Sequence, residues 1–152
     1  MERGVAVMAL RLSLLALLLA VAGPLAASDR EVVLVVSADS PVLALDPLEI
    51  RKIFLGLPVL RENRPLRAIR NVSDEQLSQV FLQHVVAMSQ SAYDRRILAQ
   101  VLQQGRPRPI ELTSAELVIA ALSEDPLAVS YMWLNDVRPA SHLRILRVLW
   151  TD

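Results

Sequence analysis

The chain has 152 residues, no cysteine, and 16 basic against 16 acidic side chains, for a formal net charge of zero. That length holds one domain, the lack of cysteine excludes a disulfide-built scaffold, and the balanced charge excludes a global basic field for nucleic acid or anionic membrane. The hydrophobic fraction of 53% is high, and part of it comes from the N-terminal stretch.

Residues 1–27 read as a secretory signal peptide. Arg3 supplies a positive start, Val5 to Ala22 is apolar apart from Arg11 and Ser13, and Gly23-Pro24 leads into Leu25-Ala26-Ala27. Cleavage is expected near Ala27 or Ser28. The competing reading is a membrane anchor, but the apolar core ending at Ala22 falls short of the roughly 20 residues a span requires. No cysteine lies near the break, which excludes lipid attachment there. Without Glu2, Arg3 and Arg11, the 16 basic and 16 acidic residues fall to 14 and 15 over residues 28–152. An exported, cysteine-free domain is expected in a bacterial periplasm, in contact with membrane only before cleavage.

Glu31-Val-Val-Leu-Val-Val36 is an unbroken apolar, β-branched run. It lacks the alternation of a half-exposed strand and predicts one covered on both faces by helices. Next comes the best-marked helix start in the chain. Asp46 is the N-cap, Pro47 the first helical residue, and Glu49 completes a capping box. Leu45 and Ile50 form the hydrophobic staple, and Gly56 ends the helix. Pro58 and Pro65 flank a polar turn, Arg61-Glu62-Asn63-Arg64, and Leu66 to Arg70 reads as a second strand.

Ser73 to Gln76 is a second capping box, stapled by Val72 and Leu77. Its helix places Leu77, Val80, Phe81, His84, Val85 and Met88 on one face. Another helix begins near Ser91 and stops at Gly105. Pro107 and Pro109 hold an extended connection into Ile110 to Leu112. Thr113 and Glu116 make a third capping box, and that helix ends before Pro126. Ala128 to Met132 and Leu143 to Leu149 are the last strand candidates. Strands alternating with helices predict an α/β layered domain over residues 28–152.

In VVLVVSADSPVLALDPLEIRKIFLG, the order of strand, polar loop, capped helix and Ile-Phe-Leu-Gly ending resembles the phosphate-binding proteins that serve ABC importers. It is similar above all to their short, single-lobe periplasmic relatives. The likeness continues through NRPLRAIRN, the helix pair with Phe81 and Tyr93, Gly105-Arg-Pro-Arg-Pro109, Thr113-Ser-Ala-Glu-Leu117 and Ala128-Val-Ser-Tyr131. It implies an α/β fold with a helix-flanked mixed or parallel sheet, as in one lobe of a type 2 periplasmic binding protein. It also implies a periplasmic solute-binding module for phosphate or another small oxyanion. By position Arg70 and Ser73 match the family's anion-binding turn, which makes them ligand contacts.

The sequence departs from the family at that turn, where Asp74-Glu75 replaces a Gly-Thr pair. Two carboxylates suit a helix N-terminus as permanent fillers and repel a bound anion, which makes the site degenerate. The competing reading makes Ser73 a simple cap and pairs Arg70 with Asp74 or Glu75. Ser37, Asp39 and Ser40 follow the first strand, where they offer polar contacts at the carboxyl edge of the sheet or serve as turn residues before Pro41. The glycines of the family's late strand are replaced in Ala128-Val129-Ser130, so side chains stand where backbone would otherwise approach a neighbour.

No GxSxG elbow, Walker loop or HExxH motif occurs, and no nucleophile–base pair can be assembled, so neither an enzyme nor a cofactor is expected. His84 and His142 lack acidic partners at ligand spacing, and His84 is expected in a core or interface role, not on a metal. Arg61, Arg64, Arg67, Arg70, Arg106 and Arg108 could form a basic rim, the preferred reading being a surface laced with nearby acids. Trp133 and Trp150 are expected to pack, and Tyr131 to Trp133 could join a contact surface. Two function classes follow: a solute-binding module that serves an inner-membrane transporter or sensor, and a non-catalytic envelope interaction or sensory protein on the same scaffold with no small ligand.

Overall fold

A computed structural model describes residues 30–152, so the proposed signal peptide lies outside the described residues. Five strands form the main sheet: β1 (Glu31–Ser37), β4 (Arg67–Asn71), β5 (Ile110–Leu112), β6 (Ala128–Trp133) and β7 (Leu143–Thr151). Their order is β5-β4-β6-β1-β7. β4 runs parallel to β5 and β6, whereas β1 runs antiparallel to β6 and β7. The sheet is therefore mixed. β2 (Leu60–Arg61) and β3 (Arg64–Pro65) turn the expected polar loop into a tight hairpin. Its two tip residues, Glu62 and Asn63, have φ of 50° and 63°, the paired left-handed geometry of short hairpin turns.

β1 explains the layering. Successive side chains point to opposite faces, and Val32 to Val36 are all fully buried. Val32, Leu34 and Val36 join a core with Ile50, Phe54, Leu77, Phe81, Tyr93, Val129 and Tyr131. Helices α1 (Pro47–Phe54), α2 (Glu75–Val80) and α3 (Gln90–Gln104) cover that face. Val33 and Val35 join Ile69, Val118, Leu122, Met132 and Val137 on the other face, under α4 (Ala115–Glu124) and α5 (Leu134–Val137). The unbroken apolar run thus becomes a strand sandwiched between two helical layers.

The α1 cap forms as expected. Asp46 accepts from Glu49 N at 2.8 Å, and Glu49 accepts from Asp46 N at 3.1 Å. Two other caps differ by one residue. Asp74, not Ser73, accepts from Leu77 N, and Ser114, not Thr113, accepts from Leu117 N. In each case an equally good cap residue stands next to the expected one, and the helix starts later.

The helix after Asp74 also departs from expectation. α2 widens into a π-turn over Phe81–Val86 and stops at Ala87 with φ 53°. Widening to an i→i+5 pattern changes the angular step between residues. Leu82 and Val86 are thereby buried, while His84, expected in the apolar stripe, is exposed beside Trp150. Trp150 meets Trp133 edge to face at 6.2 Å, the packing role expected of both.

Candidate functional site

The site begins with strand register. β4 and β5 run in parallel with Arg70 opposite Glu111, two strands that meet through residues 41 apart in sequence. Ile69 points into the α4 face, so Arg70 points to the opposite face, among the aromatic rings. There its guanidinium lies 4.6 Å from the Tyr93 ring centroid and 5.0 Å from that of Phe81. Phe81 stacks on Tyr131 at 4.6 Å with an interplanar angle of 8°. Tyr93 is anchored by its hydroxyl, which donates to Phe54 O at 2.7 Å.

Arg70 is only 2% exposed, which is unusual for an arginine. Its Nη1 donates to Glu111 Oε1 at 2.7 Å, and the Glu111 side chain is 54% exposed. The pair therefore runs from the core to the solvent. Its partner is neither Asp74 nor Glu75, because β5 delivers an acid straight across the ladder. Arg70 Nε and the Tyr131 hydroxyl are buried with no hydrogen-bond partner among the described residues. Such orphaned groups are rare in folded proteins. Burial pushes the Tyr131 phenol up to about 12, although the Arg70 charge pulls it back. Burial also raises Tyr93, again against the pull of Arg70. Both phenols are neutral donors at physiological pH.

A cavity of about 140 Å³ lies against this cluster, lined by Arg70, Tyr93, Asp94, Ile97, Arg108, Pro109 and Glu111. A larger groove of about 500 Å³ runs past Gly56, Pro58, Leu66 and Pro107, with Arg67, Arg106 and Arg108 along it. That groove is mostly apolar. Arg70, buried with its Nε unpartnered, lines the smaller cavity, which makes it the better candidate site.

Ser73 stands two residues past the end of β4, exposed, with its hydroxyl donating to Asn71 Oδ1 at 2.6 Å. Asn71 itself is fully buried and donates to Tyr131 O, knotting β4 to β6. Ser37, Asp39 and Ser40 lie elsewhere. Because β1 is antiparallel to the β4-β5-β6 trio, its C-terminal end falls at their amino edge and not at their carboxyl edge. There Ser37 Oγ accepts from Asp39 N, Ser40 Oγ accepts from Val42 N, and Arg144 donates to Ser40 O. The five expected contacts are split between opposite ends of the sheet.

Of the six arginines singled out by sequence, Arg61 pairs with Glu49, Arg67 with Asp125 and Arg70 with Glu111. Tyr131, which on sequence could have joined a contact surface, is fully buried. Sequence reasoning missed Glu111, Tyr131 and Asn71 as members of the Arg70 cluster. Only the parallel β4–β5 and β4–β6 pairings assemble them. Among the described residues, no three His, Cys, Asp or Glu side chains cluster as metal ligands, and no helix is long and apolar enough to cross a membrane.

The fold is a five-stranded mixed sheet with helices on both faces, and it resembles about half of each of several solved structures. Solved structures carry the likeness. PstS from Borrelia burgdorferi superposes with a TM-score of 0.56 at 15% identity, over 77% of this chain and 46% of its own. A possible phosphate binding protein from Planctomyces limnophilus DSM 3776 gives 0.58 at 12%, over 80% and 42%. A Clostridium perfringens protein assigned as a phosphate ABC transporter substrate-binding protein, solved with bound phosphate, gives 0.52 at 11%, over 76% and 53%. The chain thus spans about half the length of these proteins. No protein-family model and no curated protein matches the sequence.

Proposed function

We propose that the chain is an exported, non-catalytic solute-binding domain that takes a small oxyanion such as phosphate at Arg70 and serves an inner-membrane transporter or sensor. Residues 1–27 act as the cleaved signal peptide and residues 28–152 as the binding domain in the periplasm. The observation that carries this reading is the buried guanidinium of Arg70, with an unpartnered Nε and a cavity of about 140 Å³ beside it. A planar guanidinium, always charged and weakly hydrated, suits bidentate recognition of an oxyanion. The names of two structural neighbours, a possible phosphate binding protein and a phosphate ABC transporter substrate-binding protein with bound phosphate, suggest the ligand class. Ser73 at the same edge of the sheet is the second proposed contact. Ser37, Asp39 and Ser40, at the other edge, belong to the turn and not to this pocket.

Calorimetric titration of the purified protein with inorganic phosphate and sulfate tests the reading. Saturating phosphate, at about 100 times Kd, adds about 2.7 kcal/mol of stability and raises the melting temperature by several degrees. Both the heat and the shift disappear in Arg70→Lys, which keeps the charge and loses the fork. A flat titration together with an unmoved melting temperature would sink the proposal.

A further inference from the structure

We infer that Glu111 is a built-in competitor for the oxyanion position, so that a ligand enters by displacing its carboxylate from Arg70. This rests on the reading of Arg70 as the anion contact. The guanidinium is walled by Phe81 and Tyr93. It reaches the outside where Glu111 meets Nη1 at 2.7 Å with a side chain 54% exposed. A carboxylate and a small oxyanion offer the same planar or near-planar acceptor edge to an arginine. Glu111 therefore stands in the ligand's place.

Its mobility follows from where it sits. β5 has three residues, lies at the edge of the sheet, and follows the Gly105-to-Pro109 connection. A half-exposed glutamate on such a strand is itself readily solvated when it turns outward, unlike one held in the core, and the cost of opening falls on Arg70 until an anion arrives. The cavity beside it holds Arg70 and Arg108 against Asp94 and Glu111, so its charges cancel while Glu111 is in place. With Glu111 turned out, the pocket becomes net positive and Arg70 needs another anion. The apparent affinity then equals the intrinsic one reduced by the fraction of time Arg70 is open. The site is self-occupied and weak by construction, answering only to high ligand concentrations.

The test titrates inorganic phosphate into the full chain, Glu111→Gln and Asp94→Asn. Glu111→Gln keeps an amide oxygen for Nη1 and loses the charge. It should bind phosphate at least about 10-fold tighter than the unaltered protein, the factor expected if Arg70 is open no more than a tenth of the time. Asp94→Asn removes the same charge from the cavity without touching Arg70, and should change affinity by less than about threefold, the effect of a screened partly exposed charge. Equal tightening in both variants overturns the inference, since a general field would then suffice. Unchanged or weaker binding by a folded Glu111→Gln, with phosphate still bound by the unaltered protein, overturns it while leaving the Arg70 reading intact. If neither binds, the Arg70 reading fails and this inference with it. Should Glu111→Gln not fold, a crystal structure of the unaltered protein with phosphate decides. Glu111 turned away from Arg70 supports displacement, and an intact pair beside bound phosphate refutes it.

Discussion

A guanidinium with 2% exposure needs a counter-charge at hand, because a buried charge left unpaired is strongly destabilising. Arg70 has that partner in Glu111 and is further held by two aromatic faces. Other charged side chains differ in whether the fold helps or penalises them. Arg67 holds the Asp125 carboxyl below the usual carboxylate range, against a smaller opposing effect of burial. Burial raises Asp136, and Glu116 and Asp74 push it the same way. A depressed carboxyl contributes stability above its unfolded pKa and loses it as pH falls through the folded value. A raised one costs stability at neutral pH, and protonation at lower pH relieves the cost. At pH 7, Asp125→Asn should therefore lower the melting temperature by about 2–4 °C, the scale of a partly exposed pair. Asp136→Asn should raise it by a similar or smaller amount. The Asp136 difference should fade as melts are carried below the ordinary aspartate range, whereas the Asp125 difference should persist further and shrink only as pH falls through its depressed folded value. Shifts of the same sign would show that these charges do not act as described. Asp125 and Asp136 are unremarkable in sequence, and so is Glu111, since their circumstances depend on which strand end or helix turn arrives beside them.

At the scale of elements, helix starts were the most legible feature, and α1 the most legible among them. Asp46, Pro47 and Glu49 each satisfy a different requirement of the first turn, and no neighbouring residue competes for the cap. Arg61 then extends the box into tertiary structure, reaching both Glu49 oxygens at 2.9 and 3.0 Å and Ala44 O at 3.2 Å. Asp46→Ala should cost about 1 kcal/mol, or about 4 °C in melting temperature, whereas Asp46→Asn should lose little, because asparagine caps as well. Equal losses in both would mean that Asp46 acts through its charge and not as a cap. The starts at Asp74 and Ser114 were less legible because two adjacent cap residues fit the same pattern, and only packing chooses between them. The π-turn at Phe81–Val86 was not legible at all. Nothing local marks it, and its yield is tertiary, placing Phe81 among Phe54, Tyr93 and Tyr131.

For the whole molecule, the composition of β1 announced a strand covered on both faces, but not its direction. Direction decides the shape of the candidate site: running antiparallel to β6, β1 carries Ser37 to Ser40 away from Arg70, which lies near the carboxyl edge of the parallel trio. One strand also has to couple two cores. Val32, Leu34 and Val36 belong to the aromatic side, and Val33 and Val35 to the α4 side, so neither core can dissolve without exposing the back of the other. That arrangement predicts a single cooperative unfolding unit despite two separate clusters. Leu77 and Leu122 are fully buried on opposite faces of the sheet. Leu77→Ala and Leu122→Ala should each cost about 2–5 kcal/mol. Without shared neighbours, their effects should add to within about 0.5 kcal/mol in the double variant. Denaturant melts should give coincident transitions by far-ultraviolet circular dichroism and by the fluorescence of Trp133 and Trp150, which pack on the aromatic side. If instead the Leu122 variant loses its α4 side in a separate early step, with the tryptophan signal unmoved, β1 does not couple the layers. The domain would then be two weakly joined units.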